Sequence, residues 1–369
     1  MKLRFTKSVL INAINIVLKA VPSKSTMPVL ECILLDASEG KISMTGNDMR
    51  FAIKTTINGT IIEEGKIAIN AKLFADIVRS FPDDDEIYIK ENDLNISIES
   101  GNADFNIMGI DYVEYPDVPD INRSNYVCLS QYSLKEIISQ TIFSISSDET
   151  VSPQMSGEFL EVYDNRLRLV SLDGHRISMR NLVLRDNYGK VKLIIPGKTM
   201  MDISRIIPED MDNDVYVYYD NNHVLFEYND TIVLSRLIEG EYYKVDRMIS
   251  NDYETKVVVN RRSLLSAIER SILLAKESDK KPLIFDIVDG SMEVSMKSYI
   301  GSMREDIDID KTGKDLTIGL NPRFLIDVLR TISDEEVMIY FINSRAPIVI
   351  KDDDGLYLYL ILPVNIGVK

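Results

Sequence analysis

The sequence predicts an α+β fold made of three tandem domains, each a pair of strand–helix–strands repeats. Six segments of the chain share a short strand of alternating polarity that is followed by a helical stripe of apolar residues. The helices open at equivalent positions that are 60 to 66 residues apart, which indicates one repeated unit. These positions are Lys7, Lys72, Tyr132, Lys198, Arg262 and Arg323.

Each predicted helix is amphipathic, and each is followed by strands of period two. One face of the first helix carries Val9, Leu10, Ala13, Ile14 and Val17. After the second helix, alternate residues are apolar in 87–89 and 94–98, with a polar turn between the two runs. The other helices are followed by the same hairpin pattern, so each repeat is predicted as a strand, a helix and about three strands.

A longer period groups the six repeats into three pairs. The sequence EYPDV at 114–118 recurs as EYYKV at 241–245, 127 residues later. The proline-containing stretch 116–125 and the polar stretch 248–255 are predicted linkers. We therefore expect domains at 1–124, 125–250 and 251–369.

Domains of this kind collect their helices on one side of their sheets. Three of them in tandem would form an arc with unpaired strand edges at its two ends. A head-to-tail contact between arcs that closes makes a ring by symmetry. The sequence therefore predicts sheets on the outside, with the helices on the inner side.

The composition is that of a globular cytoplasmic protein. Hydrophobic residues make up 45% of the chain and charged residues 27%. The longest apolar run, residues 357–364, is too short to span a bilayer, and the N-terminus has no apolar segment typical of a signal peptide. Cys32 and Cys128 form no CxxC pattern and are expected to be reduced thiols.

The basic residues recur at fixed places in the repeats, although the net charge of the chain is −16. Five of the six helices open with Lys or Arg, and three carry a second basic residue two turns later, at Arg79, Arg205 and Arg330. One interpretation is a solvated helix face. The other is a positive lining that contacts duplex DNA through its phosphates, independently of sequence and only weakly in so acidic a chain.

Residue patterns typical of catalysis are absent from the sequence. It contains two histidines and lacks an HExxH motif, a Cys/His metal spacing, a GxSxG motif and a glycine-rich phosphate loop. We therefore expect no enzyme, no cofactor and no metal site. Two alternatives stay open: an open peptide-binding scaffold that never encircles DNA, and a hydrolase that uses paired carboxylates such as Asp111 and Glu114.

Four motifs resemble those of one protein family over essentially the whole chain. They are KSTMPVL at 24–30, SLDGHRIS at 171–178, IGLNPRFLIDVL at 318–329 and LILPV at 360–364. Together with the repeats, they make the chain similar to the bacterial DNA polymerase III β subunits, the sliding clamps of DNA replication. The resemblance implies a non-catalytic processivity factor that forms a homodimeric ring around duplex DNA, with the helices lining the hole.

The resemblance also implies a hydrophobic pocket between the second and third domains. Short linear motifs of the polymerase catalytic subunit, the clamp loader, repair polymerases and mismatch-repair proteins would bind there. By matched position, the pocket consists of Met155, Leu172, Gly174, His175, Arg176, Ile177, Tyr243, Arg247, Met248, Asn321, Phe324, Leu360, Leu362, Pro363 and Val364.

Further positions are carried over from the same family. Lys24 matches a loop position that touches duplex DNA, and with the basic helix residues it completes the set expected to face DNA: Lys7, Lys24, Lys72, Arg79, Lys198, Arg205, Arg262, Arg323 and Arg330. Phe105, Leu273 and Leu274 match apolar dimer-interface positions, although a core role is equally compatible with the sequence.

The chain departs from the family pattern at four pocket positions. Tyr243 replaces a frequent proline and Leu172 a common threonine, while Ser152 and Asn365 stand where basic residues are frequent. These departures bear on which peptide motif the pocket prefers.

Overall fold

The computed structural model describes residues 1–83, 85–148, 152–274 and 281–366. The chain forms two compact units. The first unit comprises Met1–Leu134 and Asp202–Leu237, and the second comprises Lys135–Met201 and Ile238–Lys369. In the described residues, none of the helices is long and apolar enough to cross a membrane.

All six predicted helices are present, and each begins within one residue of its predicted position. They are α1 Lys7–Val17, α2 Ala71–Ser80, α3 Gln131–Ser139, α4 Gly197–Ile206, α5 Arg261–Ile272 and α6 Pro322–Thr331.

Asparagine caps explain where three of the helices begin. The side chains of Asn70, Asn260 and Asn321 accept hydrogen bonds from first-turn backbone N–H groups of α2, α5 and α6. Each bond satisfies a donor that has no partner within the helix. The asparagine recurs at the same place in three repeats, so the cap belongs to the repeated unit.

The described residues contain 23 strands, all joined by antiparallel pairing. In chain order they are β1 Lys2–Thr6, β2 Cys32–Ser38, β3 Lys41–Asn47, β4 Phe51–Ile57, β5 Thr60–Glu63, β6 Gly65–Asn70, β7 Glu86–Asn92, β8 Asn95–Ser100, β9 Ala103–Met108, β10 Tyr126–Ser130, β11 Gly157–Leu172, β12 Arg176–Pro196, β13 Asp214–Tyr219, β14 His223–Tyr228, β15 Thr231–Arg236, β16 Thr255–Asn260, β17 Leu283–Val288, β18 Ser291–Lys297, β19 Ser302–Gly313, β20 Leu316–Leu320, β21 Glu336–Phe341, β22 Ile348–Lys351 and β23 Tyr357–Ile361.

Two sheets build the first unit. The smaller has the order β5-β1-β7-β8-β9, and the larger has the order β10-β13-β14-β15-β4-β3-β2-β6. The larger sheet joins strands from both sides of the predicted boundary at residue 124 through the pairing of β4 with β15. At this join Thr55 and Thr231 lie opposite each other, and their buried hydroxyl oxygens are 2.9 Å apart.

One ten-stranded sheet dominates the second unit, in the order β11-β12-β23-β22-β21-β16-β19-β18-β17-β20. Helices α5 and α6 bury their apolar stripes in its main core, where Leu264, Ile268, Leu325 and Leu329 are at most 1% exposed. Burying such a side chain contributes roughly 1.5–3 kcal/mol, so the amphipathic pattern positions these helices.

The predicted apolar face of α1 is confirmed with one exception. Leu10, Ala13, Ile14 and Val17 are buried, whereas Val9 is only partly buried. The strand prediction after α2 is also confirmed, because 87–89 fall in β7 and 95–98 fall in β8, while Leu94 lies in the turn before β8.

A carboxylic acid is fully buried in the second unit. Glu158 Oε1 lies 2.6 Å from Thr141 Oγ1, which also lies 2.8 Å from the carbonyl oxygen of Ile137. A hydroxyl group has one proton, so both contacts become hydrogen bonds when Glu158 donates its own. No described group bonds the other carboxyl oxygen. Burial raises the pKa of Glu158 from 4.5 to about 8.

Glu158→Gln should therefore remove part of the pH dependence of stability. The unfolded chain releases the Glu158 proton near pH 4.5 and the folded chain near pH 8, so stability falls as pH rises between these values. The contribution is at most about 1.4 kcal/mol per pH unit. Urea unfolding at pH 5 and pH 8 should show a smaller loss for the variant than for the parent. An equal loss in both proteins would contradict a protonated Glu158.

Candidate functional site

Five predicted pocket residues lie in one apolar cluster of the second unit. Leu172 ends β11, and Ile177 in β12 lies opposite Leu360 in β23. Each of the three is at most 5% exposed. Met155 and Tyr243 are partly buried and pack on the same cluster. The pairing of β12 with β23 thus assembles an apolar floor from residues that are far apart in sequence.

A tight turn between β11 and β12 forms one edge of this floor. Gly174 has a φ of 84°, a left-handed conformation that is unstrained for glycine. Asp173 Oδ1 accepts the backbone N–H of His175 at 2.9 Å, and the carbonyl oxygen of His175 accepts the N–H of Leu362 at 2.8 Å. The exposed His175 ring stacks against Phe324, with 6.4 Å between ring centroids.

Arg176 directly follows the turn, and each of its three guanidinium nitrogens donates a hydrogen bond within the protein. It donates to Asp173 Oδ2 at 3.0 Å, to Asp327 Oδ2 at 2.6 Å and to the carbonyl oxygen of Phe143. It also lies over the Phe324 ring at 4.3 Å from the centroid. Only 11% of its side chain is exposed. Arg176 therefore links the turn to α6, and its polar atoms form hydrogen bonds within the protein.

The remaining predicted pocket residues form the rim and the support of the floor. Arg247, Met248 and Leu362 are exposed, and Pro363 and Val364 are partly buried. The Val364 N–H donates to the Gly319 carbonyl oxygen at 2.8 Å. Asn321 caps α6, as described above. Its side chain therefore stabilises the helix that carries Phe324.

Two of the departures from the family pattern meet in the structure. The hydroxyl oxygens of Tyr243 and Ser152 are 2.8 Å apart, which makes a hydrogen bond between them. Ser152 is 8% exposed. The substitutions therefore act as a pair that fixes the Tyr243 ring at the edge of the cluster.

Sequence reasoning missed several residues of this site. Val170 and Val349 lie in the floor, and Asp327 and Phe143 hold Arg176. The alternation of β11 contained a signal for Val170, which lies two residues before Leu172 and so on the same face. Asp327 lies three residues after Phe324, within reach on one helix face. Phe143 contributes a backbone oxygen, for which the sequence offers no signal.

Most of the predicted DNA-facing residues are exposed, as such a role requires. They are Lys24, Lys72, Arg79, Lys198, Arg205, Arg262, Arg323 and Arg330. The second basic residue of the repeats is partly neutralised by a nearby acid. Arg79 lies 3.4 Å from Asp76, Arg205 lies 3.8 Å from Asp202, and Arg330 lies 2.8 Å from Glu269. Such exposed pairs are weak, and they reduce the net attraction for phosphate.

Lys7 does not fit the predicted DNA-facing role. It is 9% exposed, and its Nζ donates to the carbonyl oxygens of Phe81 and Arg79 and pairs with Asp83 at 2.8 Å. The ammonium group of Lys7 lies at the C-terminal end of α2, where it bonds backbone carbonyl oxygens. Lys7 does open α1, as the repeat pattern predicted, but in this repeat the tertiary structure gives the basic residue a structural role.

The predicted interface residues differ in exposure. Phe105 in β9 is 37% exposed and contacts Phe81 edge to face, with 5.7 Å between centroids. Leu273, directly after α5, is 78% exposed, whereas Leu274 packs partly against the core. Phe105 and Leu273 thus have surface available for contacts, and Leu274 is partly buried against the core of the second unit.

The carboxylates considered for catalysis are surface groups. Asp111 Oδ1 caps a short 3-10 turn by accepting the N–H of Val113 at 3.0 Å, and Glu114 is exposed. Among the described residues, no group of three or more His, Cys, Asp or Glu side chains could hold a metal ion.

Comparison with known proteins agrees with this architecture. Family models of the DNA polymerase III beta subunit match residues 1–119 (N-terminal domain), 128–244 (central domain) and 246–365 (C-terminal domain). The beta sliding clamp of Staphylococcus epidermidis is 32% identical over 376 aligned residues, which cover 99% of each chain.

Solved structures are similar over the same length. A putative DNA polymerase III beta subunit from Eubacterium rectale is 50% identical, with a TM-score of 0.95 and full coverage of both chains. The sliding clamp of Bacillus subtilis is 30% identical, with a TM-score of 0.94 and 99% coverage of both.

The fold and the comparisons define a non-catalytic DNA clamp, as the sequence predicted. The chain belongs to the family of DNA polymerase III beta subunits, the bacterial sliding clamps. It therefore acts as a processivity factor in DNA replication.

Replacing Lys7 and Lys72 by methionine should distinguish the buried, structural lysine from the exposed one. Lys7→Met leaves the Phe81 carbonyl oxygen without its donor, so we expect the free energy of unfolding to fall by about 1–3 kcal/mol. Lys72→Met changes an exposed side chain and should alter stability by less than about 0.5 kcal/mol. Urea unfolding measures both, and equal stabilities would refute the structural role of Lys7.

Proposed function

We propose that two copies of this chain pair head to tail into a ring that stays on duplex DNA by topology. The observation that carries the proposal is an open strand edge in each of the two units. β9 lies at the end of the five-stranded sheet of the first unit. In the second unit, residues 302–308 of β19 pair with β18 on one side, and the described residues provide no strand on the other.

Exposed apolar side chains accompany both edges. Phe105 and Met108 in β9 are 37% and 69% exposed. Leu273 is 78% exposed, and its neighbour Leu274 lies beside Gly301, directly before β19. An edge strand with apolar neighbours is suited to pairing with another chain. Because the two edges belong to different units, each contact joins unlike surfaces and is heterologous. Two such contacts between two copies close a ring.

Weak contact with DNA supports a topological link. The chain has a net charge of −16, and three of its exposed helix arginines have acidic neighbours. Affinity for DNA comes mainly from neutralised phosphates, so this surface would hold duplex only loosely and without reading sequence. Loose contact permits sliding, and a closed ring provides the retention.

The pocket of the second unit supports tethering of partner proteins. Its buried floor of Leu172, Ile177 and Leu360 suits an apolar side chain, while His175 and Arg247 at the rim can orient a peptide backbone. The partners would be the polymerase catalytic subunit, the clamp loader, repair polymerases and mismatch-repair proteins, each through a short linear motif. The compartment of this activity is the cytoplasm.

The domain boundaries near residues 124 and 250 are part of the same proposal. They are supported by the family matches, which leave 120–127 between the N-terminal and central domains and change domain after residue 244. Each boundary then separates two pairs of repeats.

Retention on DNA tests the ring directly. Protein loaded by a clamp loader onto nicked circular plasmid should remain bound in high salt and leave once the plasmid is linearised. Phe105→Glu should shift the protein to a monomer in light scattering and abolish retention, because it places a charge in the interface. Val183→Glu, at a residue that is 67% exposed in β12, is the matched control.

Loss of the wild-type protein from the uncut circle in high salt would disprove the topological link. It would favour an open scaffold with an ordinary weak DNA surface. A wild-type protein that is monomeric in solution would likewise disprove the ring.

Leu362→Ser tests the peptide pocket. Leu362 is 37% exposed at the rim, so the change should leave stability nearly intact while weakening a polymerase-tail peptide about tenfold or more. Leu356→Ser, at a 44% exposed residue before the other end of β23, is the control. Fluorescence anisotropy measures both. Equal affinities for the two variants would remove Leu362 from the site.

A further inference from the structure

Two strand pairings inside the chain follow one rule. β15, which closes the fourth repeat, pairs with β4, which closes the first. β23, which closes the sixth repeat, pairs with the first half of β12, which closes the third. Each pairing, here called a join, therefore connects repeats that are three apart. Among the described strands, β9 of the second repeat and β19 of the fifth have no such partner.

The two joins have the same register. In each, the third residue of one strand lies opposite the third residue of the other, Val233 opposite Ile53 and Tyr359 opposite Ser178. Five residue pairs form in both joins. Because register decides which side chains face the core, a register that recurs is a property of the repeated unit.

The same register can be applied to β9 and β19. Phe105 is the third residue of β9, as Val233 is of β15. Met303 takes the place of Ile53 and Ser178, because each directly follows the pair that closes its hairpin, in which the two residues are five positions apart. Phe105 would then lie opposite Met303 of a second copy.

The exposure of these side chains supports the equivalence. Val233 and Tyr359 are at most 1% exposed inside their joins, whereas Phe105 is 37% exposed. Tyr359 stacks with Phe143, with 6.1 Å between ring centroids. Leu273 follows the start of α5 at the same sequence distance as Phe143 follows the start of α3, and it is 78% exposed. A second copy would thus cover Phe105 with its own Leu273.

We propose that β9 of one copy pairs with β19 of the other in this register, and that an ion pair between Asp104 and Arg304 of the partner copy makes the pairing specific. The inference rests on the ring proposed above and adds its register. Asp104 directly precedes Phe105, and Arg304 directly follows Met303. The two charged residues are therefore directly opposite each other, on the face of the sheet away from the core.

Both charged side chains are accessible for this contact. Asp104 is exposed and accepts hydrogen bonds from Ser97 at 3.1 Å and Asn106 at 3.2 Å, and within the described ranges it has no ion pair. The Arg304 side chain is 71% exposed and pairs with Glu293 on the neighbouring strand β18. A guanidinium group has five N–H donors, so a second carboxylate can bind on the open side of β19.

Opposite charges at this position distinguish the join between copies from the two joins within the chain. There, Ile232 lies opposite Lys54, and Leu358 lies opposite Met179. Like charges directly opposite each other are destabilising, and opposite charges fix register and suppress wrong partners. Such selection is needed where the two strands belong to separate molecules.

Charge reversal in two separate proteins tests the ion pair. Asp104→Arg puts two arginines opposite each other at both joins of the ring, and Arg304→Asp puts two acids there. Each variant alone should dimerise about 100-fold more weakly than the wild type, about tenfold for each join. An equimolar mixture should restore the dimer, because one join then pairs Asp104 with Arg304 and the other pairs the two introduced residues. Analytical ultracentrifugation measures all three samples.

The mixture also separates a lost contact from a damaged protomer, since a damaged protomer would not recover. Glu63→Arg makes the same charge change on β5, the opposite edge of the same sheet, and should dimerise like the wild type. Failure of the wild type to dimerise would remove the ring itself. Unchanged dimers of both variants, or variants that stay monomeric when mixed, would overturn the ion pair and leave the ring intact.

A disulfide measures the register independently. Thr231 and Thr55, whose hydroxyl oxygens are 2.9 Å apart, are the internal counterparts of Ala103 and Glu305. Ala103→Cys combined with Glu305→Cys should therefore give a covalent dimer on oxidation. Ala103→Cys combined with Met303→Cys is two residues out of register and should not. A covalent dimer from the second combination but not from the first would contradict the proposed register.

Discussion

The pairing of β12 with β23 is the contact on which the second unit depends. It joins Arg176–Arg180 to Tyr357–Ile361, strands that are about 180 residues apart in sequence. Because side chains alternate across a strand, this register puts Leu358 and Leu360 in the pocket cluster and Tyr357 and Tyr359 in the main core. A shift by one residue would exchange the two sets, so the register determines the main core and the candidate peptide site together.

The pairing of β4 with β15 joins distant strands in the same way in the first unit, and the comparison shows how a repeated framework carries different side chains. Backbone hydrogen bonding is common to both ladders, while the side chains on the outer face differ. Met179 completes an apolar floor in one unit, and Lys54 introduces a charge in the other. Duplication preserves the strand geometry, since backbone pairing tolerates different side chains at the same position.

Two basic residues show how burial reassigns a charge. Lys7 and Arg176 both belong to patterns typical of ligand contact, yet the protein uses the polar groups of both internally. A buried cation must be matched by carbonyl oxygens or carboxylates, because desolvation is costly. Once matched, it ties two elements together. Lys7 links the start of α1 to the end of α2, and Arg176 links the β11–β12 turn to α6.

The sequence by itself determined the six helices, their spacing and the α+β class. These follow from periodicity, which expresses local geometry and burial and so can be read along the chain. The apolar residues of the candidate peptide site came from the resemblance to a known family. The sequence could not decide which basic residues are exposed, that Ser152 bonds Tyr243, or that Phe143 supports Arg176. Those depend on strand register and on backbone groups brought together from distant positions, and only the tertiary structure specifies them.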